Sequence, residues 1–141
     1  MQLDESFYRK KIAFFIDIIN REFGNDMVLE KQMLHYEHMG YFSLSYKYDP
    51  LRYSIKIENE LRTFDGKIKN ERGEFVVLSR LVDFNLELTE EGITDFVIVL
   101  REQLKKNSFD WYLVENDHLY VISNGIKKRL RIEEIIQRDK S

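Results

Sequence analysis

The spacing in this chain that metal chemistry could use is His35-Tyr36-Glu37-His38, in which two imidazoles three positions apart share a face where the segment is helical. A zinc site requires further ligands, and a chain without cysteine must draw them from a carboxylate such as Glu30 or from a group distant in sequence. Glu37 stands between the histidines and points elsewhere in a helix or a strand. The segment reads more simply as two exposed histidines in a polar loop, so no metal site is expected, with His35 and His38 the candidates should one exist. Other chemistries have less to work with. None of the six glycines belongs to a Gly-rich loop opening a helix, and no Gly-x-Ser-x-Gly elbow is present, which argues against nucleotide hydrolysis and serine esterase chemistry. Carboxylates neighbour each other at Glu58/Glu60, Glu90/Glu91 and Glu133/Glu134. Closeness along the chain is not the opposed geometry of a glycosidase, and solvated charges on exposed faces are the expectation. The absence of cysteine excludes a disulfide scaffold and cysteine catalysis, and it suits a reducing compartment. A non-catalytic protein with no cofactor is therefore expected.

Charge distribution says more than net charge. Lys and Arg number 22 against 25 Asp and Glu, leaving −3, too little for strong steering by the molecule as a whole. Residues 81–100 nevertheless contain no Lys or Arg, while Asp83, Glu87, Glu90, Glu91 and Asp95 give −5. From residue 126 onward Lys127, Lys128, Arg129, Arg131, Arg138 and Lys140 outnumber Glu133, Glu134 and Asp139. Concentrated carboxylates can steer a basic partner and can imitate phosphates at an interface. Glu90 and Glu91 have a structural use as well, at a helix start. These five acidic residues are the main candidates for binding another protein.

Aromatic residues are the second source of candidates, because Tyr offers a binding surface a rigid ring with a polar tip. Tyr36, Tyr41, Tyr46, Tyr48 and Tyr53 fall within eighteen positions. Alternation sends Tyr46, Tyr48 and Tyr53 to the core and Tyr41 to the opposite face, where it is free for contact. Trp111 and Tyr112 are adjacent on a strand, so only one can be core; Tyr112 is taken as the second aromatic contact candidate. A single-stranded nucleic acid would need such rings inside a basic groove, and Lys47, Arg52 and Lys56 are balanced by Asp49, Glu58 and Glu60. Nucleic acid is therefore not expected as a partner.

The elements that must position these residues follow from periodicity. Asp4 or Ser6 caps a helix with Tyr8, Ile12, Phe15, Ile19 and Phe23 on one face, ended by Gly24-Asn25. Residues 27–40 fit neither period and are open between strand and short helix. Alternation then predicts a hairpin over 41–48 and 53–58 around Asp49-Pro50, and a second pair over 63–69 and 74–80 lying centrally in the sheet. Residues 82–88 alternate as a further strand. Thr89 caps a second helix with the inward stripe Ile93, Phe96, Val97, Leu100 and Leu104. Residues 110–114 and 119–123 flank Asn116-Asp117 as a tight hairpin, Asn124-Gly125 turns the chain into a basic edge strand over 126–131, and residues 132–138 are open to a short terminal helix.

The expected fold is one α+β domain over residues 1–141, in the order α-β-β-β-β-α-β-β, with an antiparallel sheet of about five to seven strands and both helices on one side. No stretch approaches the ~18 uncharged apolar residues of a membrane span, and the acidic and basic residues of the first eleven positions suit no signal peptide. The cytoplasm is the expected location. In layout the chain resembles the small acidic immunity proteins encoded beside bacterial polymorphic toxins and contact-dependent inhibition effectors. The resemblance rests on length, the opening amphipathic helix, the hairpin over 41–59, and the helix after Thr89 followed by the hairpin over 111–123. It implies a protein that neutralises a toxin or effector by occluding it; no residue motif defines it, so no functional residue is carried over. The same order is similar to the homodimeric type III secretion chaperones, in which Ile98 and Val99, off the main stripe, would supply a dimer interface. A metal-dependent enzyme using His35 and His38 ranks below both.

Overall fold

The computed structural model describes residues 4–131. Helix α1 (Glu5–Phe23) starts where the Asp4 carboxylate accepts a hydrogen bond from the backbone N–H of Phe7 at 2.9 Å. It ends at Gly24, whose φ of 57° lies in the left-handed region that glycine tolerates. Tyr8, Ile12, Phe15, Ile18 and Ile19 are its buried face. A single 3₁₀ turn (Gly24–Asp26) leads to β1 (Met27–His35), followed by β2 (Tyr41–Tyr48), β3 (Tyr53–Glu60), β4 (Thr63–Lys69) and β5 (Phe75–Val77). A one-turn helix α2 (Leu78–Leu81) and the long α3 (Glu90–Lys106) then lead to β6 (Trp111–Glu115), β7 (His118–Ser123) and β8 (Ile126–Arg129).

Among the described residues the strands form one eight-stranded antiparallel sheet in the order of the sequence, β1 through β8. Register puts Leu44, Ile57 and Gly66 in one row, and Tyr46, Ile55, Ile68 and Val76 in the next. All of these face α1 and α3. The core closes where the helices meet the sheet: the Phe15 ring stands edge-on to Phe64 at 5.0 Å, and Phe96 of α3 meets Phe64 at 5.2 Å and Phe15 at 6.1 Å. Such edge-to-face contacts add roughly 0.5–1.5 kcal/mol each to the burial of the rings. Arg101 of α3 pairs with Glu22 of α1 at the side of this contact. No helix of the described residues is long and apolar enough to cross a membrane.

Several expectations change. The sheet has eight strands rather than five to seven, because residues 27–35 form a strand that periodicity obscures. The register of β1 shifts between Leu29 and Lys31, so Met27 and Leu29 lie on the helix side of the sheet before this bulge, and Gln32, which is exposed, and Leu34 lie on that side after it. Strand β5 stops at Val77 instead of running to residue 80, and Leu78, fully buried, opens α2. Residues 82–88 are an extended loop with one bridge, Thr63 to Glu87, not a continuous strand. Strand β8 ends at Arg129, and the helix considered for 132–138 lies outside the described residues. Trp111 and Tyr112 are both half-buried, so neither is a full core residue: Trp111 packs on Tyr53 and Phe109, and Tyr112 on Phe75. The α3 stripe of Ile93, Phe96, Val97, Leu100 and Leu104 is buried as its spacing requires.

Two measurements test this packing. A methyl group on Gly66 would lie 2.6 Å from the Phe96 ring, which is itself hemmed in by Phe15 and Phe64. Gly66→Ala is expected to destabilise the fold by about 1–3 kcal/mol in urea unfolding, and adding Phe96→Leu should recover part of the loss. The buried Tyr46 hydroxyl has no hydrogen-bond partner among the described residues, and burial pushes its pKa up to about 12. The folded state therefore favours the neutral phenol: this contribution to stability is full below 10.0 and is lost as pH rises towards about 12. Tyr46→Phe should stabilise the protein by about 1 kcal/mol at neutral pH and flatten the alkaline loss; a less stable variant would show that the hydroxyl is satisfied.

Candidate functional site

The acidic residues singled out above are brought together with others by the entry into α3. The backbone N–H of Phe64 donates to the carbonyl of Leu86 at 3.0 Å, and that of Leu88 donates to the carbonyl of Arg62 at 2.7 Å. These bonds lay the loop against the β3–β4 turn. Thr89 then caps α3, its hydroxyl oxygen accepting from the N–H of Gly92 at 3.0 Å. Gly92 is needed here, since a Cβ would stand 2.1 Å from the carbonyl oxygen of Glu87. The first turn of α3 therefore begins at the end of the sheet where β3 finishes and β4 starts: Glu87 bridges to Thr63 beside the turn that carries Glu60, and the cross-strand pair Glu58 and Asp65 lies further along on the sheet face away from the helices.

Asp83, Glu87, Glu90 and Glu91 are exposed and Asp95 is half-buried. Among the described residues none of the five forms an ion pair, whereas carboxylates elsewhere do: Glu74 with Arg72, and Glu115 with Lys127. Glu90 and Glu91 are favoured locally by the helix macrodipole, which offsets part of their mutual repulsion. Glu87, before the cap, and Asp95, past the first turn, have no such compensation, and a cationic partner would relieve their repulsion.

Beside them lies a hollow of 450 Å³ lined by Tyr41, Glu58, Asn59, Glu60, Asp65 and Leu86 among others. Its floor is fixed by the buried Asn59 amide, which donates to the carbonyls of Gly40 at 3.1 Å and Leu61 at 3.2 Å and accepts from the N–H of Phe42 at 2.6 Å. Tyr41 donates its hydroxyl to Glu58 at 2.5 Å and stacks against His35, so the ring is held in place before any partner arrives. Asp65 has a structural role: its carboxylate accepts from the backbone N–H and the hydroxyl of Ser79, tying the start of α2 to β4.

The two aromatic candidates part company. Tyr41 belongs to the acidic end, but Tyr112 lies in a separate cleft of 680 Å³ between β5 and β6, shared with Phe75, Leu81, Leu119 and Leu130. His35 and His38 stand with ring centres 5.9 Å apart, one at the end of β1 and the other in the turn after it, not on one helical face. Among the described residues no group of three or more His, Asp and Glu side chains is placed to hold a metal. Glu60 and Asn59 were not marked by sequence as part of a site. The signal for Asn59 was a polar residue at an inward position of an alternating strand; the position of Glu60 depends on a loop contact that no local pattern reveals.

The hydrogen bond to Glu58, followed by burial and the charge of Glu58, raises the Tyr41 pKa above 10.0. In a titration followed by NMR of labelled tyrosine, Tyr41 is expected to ionise at higher pH than a free phenol, and Glu58→Ala should lower its pKa; no change in the variant would mean that the two side chains do not meet in solution. No protein-family model, curated protein or solved structure matches this chain.

Proposed function

We propose that this is a non-catalytic protein-binding protein, an immunity-type inhibitor that neutralises a toxin or effector by covering a basic surface of it in the cytoplasm. The observation that carries the reading is the acidic end of the sheet. Glu87, Glu90 and Glu91 are exposed and form no ion pair among the described residues, and Glu87 bridges to Thr63, which lines one hollow with Glu60 and the preset Tyr41–Glu58 pair. A cationic partner relieves the repulsion between like charges, and carboxylates so grouped steer a basic surface towards them. Tyr41 adds a ring at the margin whose order costs nothing further on association. This combination suits occlusion, with the carboxylates standing where a basic partner would otherwise receive phosphates.

The test is co-purification with the C-terminal domain of the protein encoded by the adjacent reading frame. The expected result is a stoichiometric complex that weakens with salt. Glu87→Lys with Glu91→Lys should raise its Kd by at least about ten-fold, equivalent to about 1.4 kcal/mol. Failure to form any complex would remove the inhibitor reading. A complex indifferent to the charge reversal would move the interface away from the acidic end.

A further inference from the structure

The sheet face turned away from α1 and α3 carries charge of the opposite sign. Register lines up Lys31, Ser45, Lys56 and Lys67 across β1 to β4 in one row, and Lys47, Ser54 and Lys69 in the next. Strand spacing puts the first row within about 15 Å and the rows about 7 Å apart. Lys31, Lys56, Lys67 and Lys69 are all exposed. Within this field the nearest carboxylate contact is a loose one, Glu58 to Lys56 at 3.9 Å, and among the described residues Lys31, Lys47, Lys67 and Lys69 form no ion pair.

A solvated sheet face needs no such arrangement. Lys56 and Lys67 are direct cross-strand neighbours, a pairing of like charges that destabilises a sheet. The positions between the lysines are serines, which favour strands less than Thr, Val or Tyr would. The short side chains of Ser45 and Ser54 stand between the lysines, and Lys47 donates to the carbonyl of Arg52 at 3.3 Å. The like-charged pair and the serines both suit an anion better than they suit the sheet.

We propose that this face docks an acidic stretch of polypeptide on a partner protein. Two observations favour polypeptide over a nucleic acid strand. Among the described residues the aromatic rings bordering the field are already engaged, since Lys67 lies over the Phe75 ring at 4.3 Å, Phe75 packs on Tyr112 and Tyr41 is stacked against His35. The field is also bounded on the strand axis by Glu58 and Asp65, which face the same way and would repel a polyanion running on past the lysines. An acidic segment of a few residues ends before it meets them. This surface adjoins the acidic end at Glu58 and Asp65, but its lysines are not part of that end, and the inference holds whether or not that end binds.

Fluorescence anisotropy with a labelled oligo-glutamate peptide at low salt tests the proposal, with a labelled oligothymidylate of equal charge as the second arm. Binding of the peptide is expected, weakened at least about ten-fold by Lys56→Gln with Lys67→Gln and Lys69→Gln. Removing the same charge elsewhere, with Lys10→Gln, Lys105→Gln and Lys106→Gln, should change it less than about two-fold. The face variant loses the Lys56–Lys67 repulsion along with the exposed Lys67–Phe75 and Lys56–Glu58 contacts, so its urea stability should stay within about 1 kcal/mol of the parent, and unfolding measured on both proteins separates weakened binding from loss of fold. Absence of peptide binding, an equal loss in both variants, or tighter binding of the oligothymidylate would each overturn the proposal.

Discussion

The two helices can close over the sheet because β4 presents no side chain beneath Phe96. Gly66 occupies the one inward position between Phe64 and Ile68, and the Phe96 ring fills the space a larger residue would take. From that contact the position of α3 follows, and with it most of what else is described. Phe15 of α1 packs edge-on against the same pair of rings, so the helices are fixed to each other as well as to the sheet. The start of α3 is then held over the β3–β4 turn by the backbone bonds of Leu86 and Leu88. Its far end is held where the Tyr53 hydroxyl donates to Asn107 at 2.8 Å. The acidic first turn is thus a rigid extension of the core.

A net charge of −3 conceals two surfaces of opposite sign. One is the end of the sheet at Glu60 and Glu87; the other is the lysine-bearing face across β1 to β4. Both arise from positions that contribute nothing to the core, and each leaves like charges close together. Natural surfaces usually intersperse the two signs to avoid this cost. Their separation is what makes recognition of another protein the proposed role.

Much of the fold was legible in the chain because local signals agreed with one another. Thr89, the acidic first turn and the stripe from Ile93 to Leu104 all point to the same helix, and Asp49-Pro50 and Asn116-Asp117 mark turns that the structure contains. The failures have physical causes. A bulge after Leu29 exchanges the two faces of β1 part-way along, which erases a period of two. The apolar run from Phe75 reads as a long strand because burial alone does not distinguish β5 from the turn of α2 that follows. The site was legible only in part: five acidic residues could be picked out by composition, but Glu87 comes beside the turn that carries Glu60 through a loop contact. The alignment of Lys31, Lys56 and Lys67 exists only once strand register is known.

The sheet also implies an order of assembly. Every strand pairs with its neighbour in sequence, and all but one of these pairs are joined by short turns, so most of the sheet closes loops of small entropy. The exception is β5 with β6, which spans the whole of α3 and is registered through a single residue pair, Phe75 with Tyr112. The pairing that costs most to close is the one with the shortest ladder. The three strands after α3 are therefore joined to the meander that precedes them by the shortest ladder of the sheet, the place where local opening is expected first.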